Sequence, residues 1–261
     1  MNLDLSGKTA LITGGARGIG FATAEMLAAE GVNLVLVDIN GESAAAAART
    51  LADRGGKAVG LQADISDPAS VAAMLAAAED AVGPVDMLVN SAAVLDDKAF
   101  LESDYADWDR MLKVCLYGPM ILLKAVLPGM ASRRFGRVVC LASDSARVGQ
   151  ARLSYYAAAK AGVIALVKSV AQEEGKNGIT LNVVSPGATN TPLRQEREAG
   201  LRAQMGEEKY ARRVNTVLKM YPAGRIGEPQ DIAATITFLL SSRASWITGQ
   251  VVSVNGGFVM P

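Results

Sequence analysis

Thr13-Gly14-Gly15-Ala16-Arg17-Gly18-Ile19-Gly20 stands between an apolar run and a helix-forming stretch, and the architecture turns on it. Thr13 closes a first strand, and Ile19-Gly20 open a first helix. Glycines at 14, 18 and 20 let the backbone turn tightly, approach a pyrophosphate and pack helix on strand. Unpaired N–H groups at the helix N-terminus then face the phosphate charge. The second strand ends at Asp38, where a carboxylate can accept both ribose hydroxyls of an adenosine and repel a 2′-phosphate. The expected cofactor is therefore NAD rather than NADP, with Arg17 in the turn as the one counter-signal. Gly14, Arg17, Gly18, Ile19, Gly20 and Asp38 are the first candidate cofactor residues.

Outward from this turn, short β-branched or Leu-rich runs alternate with longer Ala-rich segments. Strands are predicted at 9–13, 34–37, 58–61, 87–89, 138–141, 180–184 and 251–254, and helices near 19–30, 42–54, 68–81, 105–131, 154–175 and 229–240. The strand runs are continuously apolar rather than alternating, as strands covered on both faces are. The pattern predicts an α/β fold with a doubly wound, parallel, Rossmann-type sheet of about seven strands. No linker, repeat or low-complexity tract interrupts it, so a single domain is expected. Residues 191–221 break the rhythm. They are polar and charged, contain no strand, and follow the carboxyl end of a late strand, which makes them a candidate substrate lid. Their basic residues could meet an anionic substrate, although Glu196, Glu198, Glu207 and Glu208 offset them and a solvated helix surface would look the same.

Composition narrows the chemistry. Half of the 261 residues are hydrophobic, a fifth are charged, and the formal net charge is zero, which gives nucleic acid no electrostatic footing. No apolar run is expected to reach the roughly 18 residues of a membrane span, and no basic-then-apolar signal opens the chain. A cytoplasmic protein with no membrane partner is expected. The two cysteines, Cys115 and Cys140, have no metal-ligand spacing and read as reduced, buried thiols, and the chain has no histidine. A Ser-His-Asp triad and an imidazole metal site are excluded, no metal is expected, and acid–base work falls to Tyr, Lys, Cys, Asp or Glu.

Tyr156-Ala157-Ala158-Ala159-Lys160 answers that requirement. On a helix, positions i and i+4 share a face while i and i+5 do not, so Tyr156 rather than Tyr155 faces Lys160. A cation beside a phenol favours phenolate and is expected to lower the tyrosine pKa. Ser143, at the end of the preceding strand, can hydrogen-bond a substrate oxygen.

With these residues in place, the chain resembles the classical short-chain dehydrogenases/reductases from Gly7-Lys8-Thr9 to Ile247-Thr248-Gly249-Gln250 and Asn255-Gly256-Gly257. The resemblance implies that Asp64 and Ile65 contact the adenine and that Asn90-Ser91-Ala92-Ala93 lies along the cofactor, Asn90 in a structural role. It implies that Pro186, Gly187, Thr189 and Thr191 bind the nicotinamide carboxamide. Tyr156 would take the hydroxyl proton as hydride leaves the carbinol carbon. Lys160 would hold the nicotinamide ribose, and Ser143 would orient the substrate oxygen. Two positions depart from the family. Cys115 replaces an asparagine thought to hold a helix distortion and a proton-relay water, a task for which a thiol is poorly suited. Ala93 replaces a common glycine near the cofactor path.

The expected activity is interconversion of a secondary alcohol and a ketone. The stretch 141–149 looks like that of relatives oxidising hydroxylated alicyclic acyl thioesters, and 156–162 like that of 3-oxoacyl-thioester reductases. A cyclic or acyl-thioester hydroxy compound is therefore the expected substrate. The alternatives are an NAD-binding sensor without turnover, to which only Cys115 points, and a methyltransferase, which leaves the Tyr-Lys pair unexplained. Small and apolar positions along 105–131 and 154–175, helices that similar proteins pair, predict a homotetramer or homodimer.

Overall fold

The computed structural model describes residues 2–260. The chain first lays down β1 (Thr9–Thr13), α1 (Gly18–Ala29), β2 (Asn33–Asp38), α2 (Gly41–Ala52), β3 (Ala58–Gln62), α3 (Pro68–Val82) and β4 (Met87–Asn90). There follow α4 (Tyr105–Leu112), α5 (Gly118–Arg133), β5 (Gly136–Leu141), a single turn α6 (Ser145–Val148), α7 (Ser154–Glu174) and β6 (Ile179–Pro186). The chain closes with α8 (Pro192–Met205), α9 (Glu207–Lys219), α10 (Pro229–Leu240) and β7 (Val251–Val254). Among the described residues all seven strands join one sheet in the order β3-β2-β1-β4-β5-β6-β7, every pairing parallel. This is the expected Rossmann-type α/β arrangement.

Alternate residues of each strand supply opposite layers of core, as a pleated strand requires. Leu11, Val35, Leu88 and Val138 pack with Val71 of α3, Leu122 of α5 and Val163 of α7 on one face. Ile12, Leu36, Val89 and Val139 pack with Ala24 of α1, Ala47 of α2 and Ile232 of α10 on the other. Every residue of β1, β4 and β5 is buried, which accounts for their unbroken apolar sequence. Capping places several helix starts. The Asn40 side chain accepts from Ser43 N–H at 2.9 Å, Asp67 from Ala69 N–H at 3.0 Å, and Thr191 from Arg194 N–H at 3.2 Å.

The chain runs outward from β1 to β2 and β3, then returns to place β4 on the other side of β1. At such a reversal the loops leaving neighbouring strands part, and a crevice opens at the strands' carboxyl ends. That crevice is where the functional side chains gather.

Two expectations need revision. The single helix expected over 105–131 is interrupted: Lys113–Tyr117 forms a π-turn, with Gly118 N–H returned to the Lys113 carbonyl. Pro119 has no N–H to offer the Cys115 carbonyl, so the α-helical register fails at that step. The whole stretch Tyr105–Arg133 is also long and apolar enough, by length and composition, to cross a membrane, contrary to expectation. In the fold its Leu122, Leu123, Val126 and Met130 are buried in the core instead.

Candidate active site

A cleft of about 1210 Å³ lies across the carboxyl ends of the strands, and most of the expected residues line it together. Gly14, Arg17, Gly18, Ile19, Asp38, Asp64 and Ile65 form one end, with Ser143, Tyr156, Lys160, Pro186, Gly187, Thr189 and Thr191 further along. Gly20, Asn90 and Cys115 do not reach it and act from behind its walls.

The glycine turn is built for close approach. Gly14 has φ +62°, and a Cβ there would lie 2.9 Å from the Ala92 backbone; a Cβ on Gly20 would lie 2.3 Å from the Gly14 carbonyl oxygen. Gly15, which carried no separate expectation, is equally tight: its Cβ would meet the Ile12 carbonyl at 2.8 Å. Gly15 N–H donates to Val37 O at 3.1 Å, which pins the turn to the end of β2. Asn90 is fully buried behind this turn, and its Oδ1 accepts the Thr13 hydroxyl at 2.8 Å. Its Nδ2 has no partner among the described residues.

Asp38 sits at the tip of β2 and accepts the Asn40 N–H at 3.2 Å, so its carboxylate faces the cleft as an acceptor. Arg17 is paired with Glu196 of α8 at 2.5 Å, on the exposed rim. The one cation of the turn is thus already matched by a carboxylate. Asp64 is oriented by Ser66, whose N–H and hydroxyl both donate to its Oδ1, at 2.8 and 2.7 Å. A bare-backbone turn at a helix start, with a carboxylate at the second strand tip and a buried ammonium further along, fits a dinucleotide.

At the other end of the cleft Lys160 is 1% exposed, and its Nζ donates to the Leu141 carbonyl at 2.8 Å. Only one of its three donors is used there. The Tyr156 ring centroid is 5.8 Å from that Nζ. Ser143 Oγ accepts the Ser145 hydroxyl at 2.9 Å, so its own hydroxyl is the donor toward the Tyr156 oxygen or a substrate oxygen held beside it. The expected net lowering of the Tyr156 pKa is not what the fold alone produces. Burial holds the phenol above its ordinary range, the nearby Cys115 thiol adds to the rise, and hydrogen bonding with Ser143 offsets part of it. Tyr155 points away, its hydroxyl donating to Asp96 at 3.2 Å, and burial and that carboxylate push it up to about 12. Of the two tyrosines, Tyr156 is the one that lines the cleft.

Cys115 lies in the π-turn, fully buried, with its Sγ donating to the Val94 carbonyl at 3.6 Å. The helix distortion therefore forms with a thiol in place of the asparagine. It packs with Tyr155, Tyr156, Ala159 and Val94 behind the reacting end of the cleft.

Asp144 and Glu198 carried no expectation as site residues, whereas the basic residues of 191–221 did. Asp144, beside Ser143, is buried and accepts the Ser185 hydroxyl at 2.8 Å and Asn255 Nδ2 at 2.6 Å, tying together the ends of β5, β6 and β7. Burial raises its pKa against those two hydrogen bonds. Residues 191–221 fold into α8 and α9, which contribute Arg194, Arg197, Glu198, Arg213 and Val217 to the cleft wall. Glu198 belongs to a run of charges that looked solvated, yet it is 6% exposed. Its burial depends on contacts between helices, which no local pattern announces.

Residues 14–259 match the family described as enoyl-(acyl carrier protein) reductase. The chain is 37% identical over 258 residues to the 3-oxoacyl-(acyl-carrier-protein) reductase of Vibrio cholerae, covering 99% of this chain and all of that one. It is also 37% identical over 252 residues to the cis-4-hydroxycyclohexanecarboxylate dehydrogenase of Sinomonas cyclohexanicum, covering 96% of each. Among solved structures, levodione reductase superposes with a TM-score of 0.90 at 35% identity, covering 97% of each chain.

Proposed function

The chain belongs to the short-chain dehydrogenase/reductase family, and from that premise we propose that it is an NAD-dependent oxidoreductase interconverting a secondary alcohol and a ketone. The observation that carries this reading is convergence: the glycine turn, Asp38, Ser143, Tyr156 and Lys160 all line one cleft. A nicotinamide dinucleotide, when bound, supplies the hydride acceptor or donor. Gly14, Arg17, Gly18, Ile19, Asp38, Asp64 and Ile65 would hold its adenosine and phosphate half. Pro186, Gly187, Thr189, Thr191 and Lys160 would hold the other half, with Gly20 and Asn90 keeping the turn in place.

The chain's own chemistry is proton handling. Ser143 donates its hydroxyl proton to the substrate oxygen and fixes it beside Tyr156. Tyr156 takes the hydroxyl proton in oxidation and returns it in reduction. Because burial holds the phenol protonated, it is ready as an acid in the reductive direction. Lys160 stabilises the phenolate form as the proton leaves, by its charge. NAD over NADP is supported by the Asp38 carboxylate and by the engagement of Arg17 with Glu196. A cyclic or acyl-thioester hydroxy compound is supported as substrate by the names of the relatives. Residues 191–221 act as a lid over the substrate end of a single domain. Assembly into a homotetramer or homodimer is supported by exposed Tyr105, Tyr117 and Met120 along one helical stretch.

The test is to offer NAD, then NADP, with a panel of secondary alcohols and acyl thioesters, and to follow reduced nicotinamide. NAD is expected to give the higher kcat/KM, and Tyr156→Phe to lower turnover by about 10²–10⁴-fold, the range of general acid–base catalysis. Equal efficiency with NADP would overturn the cofactor assignment. Full activity in Tyr156→Phe would overturn the mechanism.

A further inference from the structure

The substrate wall of the cleft carries more cation than its carboxylates can match. Arg194, Arg197 and Arg213 all line it, together with the buried Glu198. Arg197 Nε is bonded to Asp97 Oδ2 at 2.6 Å, and Asp97 is also shared with Arg152. Arg213 Nη1 is bonded to Glu198 Oε2 at 2.7 Å, an oxygen that also accepts the Tyr210 hydroxyl at 3.1 Å. What remains for Arg194 is Glu198 Oε1 at 3.6 Å, beyond hydrogen-bond length, with Arg197 Nη1 also 4.0 Å from that same oxygen. Among the described residues no side-chain hydrogen bond of Arg194 is formed, although its side chain is only 21% exposed.

A guanidinium is always charged, carries five donors and accepts nothing. Covered and unbonded, it is costly unless an anion completes it. Helix stability does not explain the residue either, since a cation in the first turn of α8 opposes the helix dipole. Its backbone is pinned there by the Thr191 cap, which leaves the side chain on the cleft wall. Through Glu198 it neighbours Arg213 of α9 and Arg197, which is bonded to Asp97 in the segment after β4, so the guanidinium stands where α8 and α9 meet that segment at the cleft.

We propose that Arg194 anchors a carboxylate of the substrate, in a bidentate pair, so that the preferred alcohol is a hydroxy acid rather than a neutral alcohol or an acyl thioester. This rests on the oxidoreductase reading above and sharpens its substrate class. Planar, two-oxygen anions match the fork of a guanidinium better than any neutral acyl group does.

The test compares three substrates with NAD: a hydroxycycloalkane carboxylate, its methyl ester, and the matching acyl thioester of N-acetylcysteamine. The protein is expected to prefer the acid. In Arg194→Ala the acid-to-ester ratio of kcat/KM is expected to fall at least about 30-fold, since one charge-assisted hydrogen bond alone is worth about that much and the pair has two, through KM for the acid. Arg194→Lys is expected to recover part of that ratio, because it restores the charge without the fork. Preference for the ester or thioester overturns the inference, as does an equal loss on acid and ester. So does a weakened NAD affinity in Arg194→Ala, measured by calorimetry, matching the loss on the acid. Turnover of the neutral substrates as fast as the acid defeats this inference alone, whereas no turnover of any alcohol or ketone defeats the oxidoreductase reading and takes this one with it.

Discussion

Gly20→Ala tests whether the phosphate turn is as tightly determined as its geometry states. A Cβ at this position would stand 2.3 Å from the Gly14 carbonyl oxygen, 2.9 Å from the Gly14 carbonyl carbon and 3.2 Å from Gly15 Cα. Carbon and oxygen atoms without a bond between them approach to a little over 3 Å, so the overlap approaches 1 Å. All three neighbours are backbone, and no flexible side chain can swing aside. The turn cannot yield easily, because Gly15 is bonded to β2 at 3.1 Å and Gly14 abuts the Ala92 backbone. The helix cannot yield easily either, because Ala24 and Leu27 of α1 are fully buried. Overpacking of this kind costs about 1–3 kcal/mol, and a purely backbone clash belongs at the upper end. At about 2–4 °C per kcal/mol for a chain of this size class, a fall in Tm of about 6–12 °C follows. NAD affinity is expected to fall as well, since relief of the clash moves the turn that faces the phosphates. The assay is thermal unfolding by circular dichroism alongside calorimetric titration of NAD. Gly175→Ala is the control: its φ is −55° and nothing lies within 4 Å of an added Cβ. It is expected to be neutral or stabilising by about 0.4–1 kcal/mol. If Gly20→Ala matched Gly175→Ala in Tm and bound NAD as the parent does, the close-approach argument would be wrong.

Two further expectations address other levels of the structure. Asp231 is held by two bonds from Arg225 and accepts the Glu228 N–H at 2.8 Å, which lowers its pKa from 3.8 to about 2. A depressed carboxylate pKa stabilises the fold above the unfolded value, and that contribution is lost progressively as pH falls from about 4 through about 2 and is gone only below both pKa values. Because the Arg225 and Asp231 side chains are 58% and 35% exposed, Asp231→Asn is expected to cost only about 1 kcal/mol at pH 6 and progressively less as pH falls through about 2, read from urea midpoints against pH. Since the π-turn already forms around Cys115, Cys115→Asn is expected to keep the distortion while raising turnover and altering its pH profile. An unchanged rate and profile would remove the support for a weakened relay.

Local chemistry made much of this protein readable in one dimension. The strand positions followed from unbroken apolar runs, because a strand covered on both faces has no polar side to show. The phosphate turn was legible because glycine adopts the φ of +62° at Gly14 without strain and because only glycine leaves room for the close contacts at Gly14 and Gly20. The choice of Tyr156 over Tyr155 followed from helix periodicity, and the fold sends the two to different surroundings, the cleft and Asp96.

Other features were decided only when distant segments met. Burial raises the Tyr156 pKa, and how much of the ring is covered depends on segments that no spacing along the chain encodes. The register shift around Cys115 escaped the periodicity because a π-turn leaves the apolar pattern almost unchanged. For Glu198 and Arg194 the sequence left both a lid and a solvated surface open, and α8 and α9 bring both residues to the cleft wall. Period and steric demand are properties of neighbours along the chain and so are written in its order of residues. Desolvation and the pairing of charges are properties of neighbours in space, and the tertiary fold alone assigns them.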